Sequence, residues 1–73
     1  MDKRLAFQEF NKLENLVINE LGLYNSDTIN FCKAIDLFID KMITTKQLEK
    51  FTKNDFKLAT KRTKNWLKKV KNN

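Results

Sequence analysis

The chain has 73 residues, 41% of them hydrophobic and 33% charged, with one glycine, no proline, one cysteine and a net charge of +6. This length holds one domain with a small core, and the shortage of turn formers excludes a hairpin-rich β fold. With no histidine and Ser26 as its one serine, the chain excludes the usual metal sites and nucleophilic triads, so neither an enzyme nor a cofactor is expected.

Apolar runs never exceed three residues, which leaves no membrane span and no secretory core, and places the protein in the cytoplasm. So small a core leaves pairing into a homodimer open. Cys32 falls on an apolar helical stripe, where a thiol packs. The charge is divided along the chain. Residues 1–40 carry four basic and seven acidic side chains, a balance of −3; residues 41–73 carry eleven basic and two acidic, a balance of +9. The reading is one all-α domain, a three-helix or four-helix bundle, with a helical hairpin over residues 1–43 and a basic part over 44–73.

The first helix is expected over residues 2–21. Ala6, Phe10, Leu13, Val17 and Leu21 recur at steps of 4, 3, 4 and 4, Asp2 stands where an N-cap belongs, and Gly22 where a left-handed C-cap belongs. After a short loop at Leu23, Tyr24 and Asn25, Ser26 or Asp27 caps a second helix over residues 26–43. Its stripe of Phe31, Ile35, Phe38 and Met42 is widened by Cys32, Ile39 and Ile43, which predicts that this helix is the centre of the core.

The junction Leu21-Gly22-Leu23 with Ser26-Asp27-Thr28-Ile29 resembles the one between the two helices of ribbon-helix-helix antitoxin-type repressors. The resemblance covers about seven residues. It implies an N-terminal strand that reads DNA, formed here by Arg4, Leu5, Ala6, Phe7 and Gln8. Helical spacing fits the same stretch better than strand alternation does.

Residues 45–71 admit two readings. Lys46, Lys50, Lys53, Lys57, Lys61, Lys64, Lys68 and Lys71 step by 4, 3, 4, 4, 3, 4 and 3. At about 100° per residue all eight lie within roughly 40° of one line, which favours a continuous helix opened by a Thr44–Gln47 capping box. Leu48, Phe51, Ala59, Trp66 and Val70 fall opposite that line, with Phe56 and Leu67 on one flank and Leu58 on the other. Alternatively Thr52 caps a new helix with Asp55 in its first turn, and a turn at residues 52–54 gives a helix-turn-helix-like outline.

The expected core is Phe10, Leu13, Val17, Leu21, Phe31, Ile35, Phe38, Phe51 and Trp66.

An ammonium group at every helical turn suits phosphates along a groove wall. The leading functional expectation is a small regulatory protein that binds duplex DNA. Lys46, Lys50, Lys53, Lys57, Lys61, Lys64 and Lys68 would contact phosphates, while Asn54, Arg62 and Asn65 are the groups suited to base edges. The rival is a protein-binding module, a small regulator, inhibitor or immunity-type protein that docks its basic face on an acidic partner. An anionic membrane surface is a third candidate partner, weakened because the upstream helices offer the apolar side an intramolecular neighbour.

Overall fold

The computed structural model describes residues 1–72, which form three α-helices and one short 3-10 turn. The first helix, α1, spans Lys3–Leu21, α2 spans Ser26–Thr44, the 3-10 turn spans Leu48–Lys50, and α3 spans Lys53–Lys71. Residues 3–8 are helical, so the strand implied by the ribbon-helix-helix resemblance does not form.

Asp2 caps α1 as the sequence predicts, its carboxylate accepting from the Arg4 N–H at 2.8 Å. Gly22 closes the helix at φ 90 and ψ 152, a positive φ outside the left-handed helical well, and its N–H donates to the Ile18 carbonyl at 2.8 Å. The cap of α2 is Asn25 rather than Ser26 or Asp27. Its side-chain oxygen accepts from the Asp27 N–H at 2.8 Å, which moves the helix start to Ser26.

The continuous helix over residues 45–71 does not form. The Thr44 and Thr45 hydroxyls turn back onto the carbonyls of Asp40 and Lys41 at 2.8 and 2.9 Å, so no Thr44–Gln47 capping box exists. Lys46 then takes φ 58, which turns the chain out of the helix. Leu48, 3% exposed, tucks in beside α1 and α2. Phe51 and Thr52 are extended, and Thr52 opens α3 with a full capping box: the Asp55 N–H donates to Thr52 Oγ1 at 3.3 Å, and the Thr52 N–H to Asp55 Oδ2 at 2.9 Å.

Burying a leucine is worth about 1.5 to 3 kcal/mol and a helix cap about 1 kcal/mol. Keeping exposed lysines in phase offers nothing comparable, so the break wins. Only the second helix of the helix-turn-helix outline forms, because three residues of 3-10 turn stand where its first helix was expected.

The core is centred on α1, not on α2. Ala6, Phe10, Leu13 and Val17 are all buried, and α1 packs against α2, the 3-10 turn and α3. Phe10 is the hub, with its ring centroid 4.9 Å from Phe56, 5.9 Å from Phe38 and 6.2 Å from Phe51. Met42, Leu48, Phe56 and Leu67 complete the buried hydrophobic set, and Thr28 and Thr63 are the buried polar residues. Of the expected core, Leu21, Phe31, Ile35, Phe51 and Trp66 are half-buried, and Phe38 is 42% exposed. The broad stripe of α2 has one close helical neighbour, α1, because α2 and α3 do not approach each other backbone to backbone. Its outer edge therefore stays open.

Candidate nucleic-acid interface

The first turn of α3 sets the direction of every side chain that follows. Phe56, Thr63 and Leu67 are its buried positions, so they define the face laid on α1. Measured round the helix at about 100° per residue, the line through Lys53, Lys57, Lys61, Lys64, Lys68 and Lys71 lies roughly a quarter turn from that face. The lysines therefore form a lateral ridge beside α1 rather than a crest opposite the core. Thr63 can be buried because its hydroxyl donates to the Ala59 carbonyl at 2.8 Å, satisfying its polar group within the helix.

Two acids of α1, Glu9 and Glu20, stand alongside this ridge. Glu9 lines a shallow cleft with Lys53 and Lys57, and Glu20 lines another with Lys64, Lys68 and Lys71. Each has already found a cation: Lys12 Nζ lies 3.1 Å from Glu9, and Lys71 Nζ 2.6 Å from Glu20. Lys53, Lys57, Lys61, Lys64 and Lys68 are exposed and make no ion pair among the described residues. From Lys53 to Lys68 the row is about 22 Å long.

Not every residue picked out by the lysine spacing belongs to this row. Lys46 sits in the turn after α2, lining a cleft with Lys3, Met42 and Glu49. Lys50 ends the 3-10 turn, and the extended Phe51 and Thr52 separate it from the register of α3. Asn54 and Asn65 are exposed on the outward side of α3 next to the ridge. Arg62 is nearly half a turn from the ridge and lines the groove between α2 and α3 with Phe31 and Ile35. Seven of the ten candidates therefore share one surface: Lys53, Asn54, Lys57, Lys61, Lys64, Asn65 and Lys68.

Sequence reasoning missed Glu20 as the partner of Lys71 and missed the open groove. No local spacing signals either one, since the pair joins residues 51 apart and the groove depends on which helices fail to meet. The burial of Thr63 did leave a signal, because Phe56, Thr63 and Leu67 recur at 7 and 4.

Away from the ridge, Cys32 is half-buried near Glu14 and Asp36. Burial pushes its thiol pKa up, and the two carboxylates push the same way, which disfavours the thiolate. Among the described residues, no helix is long and apolar enough to cross a membrane. Compared with known protein families, curated proteins and solved structures, the chain matches none of them.

Proposed function

We propose that the chain is a small regulatory protein that binds duplex DNA through phosphate contacts from α3. The observation that carries the reading is the row of five exposed lysines with no carboxylate partner among the described residues, beside two acids already paired with other lysines. Leaving five like charges unpaired on one side of a helix costs self-repulsion, which a polyanion relieves while its condensed counterions are released. Lysine is a point charge without a guanidinium fork, so the row suits backbone contact in any sequence; Asn54 and Asn65 beside it are the groups able to reach base edges.

Fluorescence anisotropy with random-sequence duplex at two salt concentrations tests this. The parent should bind more weakly at the higher salt. Exchanging Lys57, Lys61 and Lys64 together for Gln should keep the helical circular dichroism, because these positions are exposed and Gln is a good helix former. It should also weaken binding to every sequence alike, and flatten the slope of log K against log salt by about 0.9 for each phosphate that is no longer neutralised. A parent that ignores DNA at low salt, or a triple variant that binds as the parent does, overturns the reading. Docking of the basic face on an acidic protein partner then takes its place.

A further inference from the structure

The groove between α2 and α3 is an open, mainly apolar feature of about 400 Å³. Phe10 and Leu13 of α1 form its floor, Phe31 and Phe38 one wall, and Leu58 and Ala59 the other. Its lips are apolar and exposed to solvent: Phe38 is 42% exposed and Leu58 47%. A compact monomer of 8.7 kDa exposes about 4,700 Å². This chain exposes 5623 Å², an excess of about 900 Å², close to the area of about 800 Å² that each partner buries in a standard stable complex.

The charges in the groove say what fits there. Asp55 and Arg62 both line it, and they stand symmetrically about Leu58 and Ala59, three residues before the one and three after the other. A surface whose opposite charges are symmetric about one point is complementary to itself under a two-fold rotation, as an isologous interface requires.

We infer that the groove seats a second copy of this chain, in a two-fold dimer whose α3 helices cross antiparallel at Leu58 and Ala59. Asp55 of each copy then faces Arg62 of the other. The small Ala59 side chain lets the helices come close. Asp55 can serve both the cap and the partner, since its Oδ2 takes the two hydrogen bonds from Thr52, leaving Oδ1 for a guanidinium. The lysine ridges point away from this contact, so dimerisation and DNA binding are separable.

Light scattering and analytical ultracentrifugation of the full chain over a wide concentration range test the inference. The mass should rise to twice the 8.7 kDa of the chain. Arg62→Glu, which sets two carboxylates face to face, and Leu58→Asp should each return the mass to that of one chain, with helical circular dichroism retained because both sites are exposed. In a Cys32→Ala background, Leu58→Cys should cross-link on mild oxidation, whereas Lys64→Cys on the ridge should not. A parent that stays at the mass of one chain at every concentration overturns the inference, including one that gains mass only with a different protein. So does a dimer untouched by both Leu58→Asp and Arg62→Glu, or one that cross-links as readily through Lys64→Cys.

Discussion

Phe31 and Trp66 stack with their ring centroids 5.4 Å apart and their planes 19° from parallel, linking α2 to α3 across a groove that their backbones leave open. Both are half-buried, so the pair combines partial burial with an aromatic contact. Phe31→Ala should cost about 2 kcal/mol, or roughly 8 to 16 °C of melting temperature in a domain of this size. Trp66 is the chain's one tryptophan, so its emission reports the change directly and should shift to the red. An unchanged spectrum and melting temperature would mean that the stack does not hold α3 to α2.

Phe56 and Phe38 both touch Phe10, but their exposure differs tenfold, at 4% and 42%. In solutions dilute enough to keep the chain monomeric, Phe56→Ala should cost about 3 to 5 kcal/mol and Phe38→Ala about half as much or less. Urea titrations of the two variants check the order. A Phe38→Ala variant as unstable as Phe56→Ala would mean that α2 packs against α3 more tightly than this structure has it.

That contrast marks where the sequence is legible. The stripe of α1 is narrow, each of its members faces a neighbour, and Ala6, Phe10, Leu13 and Val17 are buried as their spacing predicts. The stripe of α2 is wide. Spacing places Phe31 and Phe38 on an apolar side, but whether another helix covers that side depends on the angle at which α3 returns. That angle is set by eight residues, 45–52, whose structure comes from long-range burial of Leu48 and local capping by Thr52. The lysine period runs straight through those residues because exposed side chains do not constrain the backbone beneath them. For the same reason the ridge on α3 is legible, whereas the exclusion of Lys46, Lys50 and Arg62 from it is not.

Glu14 supplies a pH-dependent test of the α1–α2 side. Burial raises its carboxyl pKa, the nearby Asp36 carboxylate raises it further, and the hydrogen bond with Cys32 opposes them. A carboxyl whose pKa is higher in the folded than in the unfolded chain contributes stability that is full below the unfolded value and is lost as pH rises through the folded one. Glu14→Gln should therefore raise the melting temperature at neutral pH, and the gain should vanish as the solution is acidified through the carboxylate range. Melting curves of both proteins from about pH 3 to 8 decide the point. A variant less stable than the parent at neutral pH would show that the charged carboxylate is held favourably.

Glu20 sets how many lysines the ridge has free. Its carboxylate accepts from Lys71 Nζ at 2.6 Å, and both side chains are about half exposed, so the pair itself adds little stability. Its larger effect is electrostatic. It places a negative charge beside Lys64 and Lys68 and occupies the last lysine of the row. Glu20→Gln removes that charge and frees Lys71, extending the ridge by about one helical turn. On the DNA-binding reading, affinity for duplex of any sequence should rise, and the slope of log K against log salt should steepen by up to about 0.9 if Lys71 gains a phosphate. The melting temperature should hardly change, because an exposed ion pair is worth about 1 kcal/mol at most. If Glu20→Gln leaves both affinity and salt slope where they were while the Lys57, Lys61 and Lys64 exchange lowers them, the bound phosphates end short of residue 71. If neither variant moves them, the ridge is not where DNA binds.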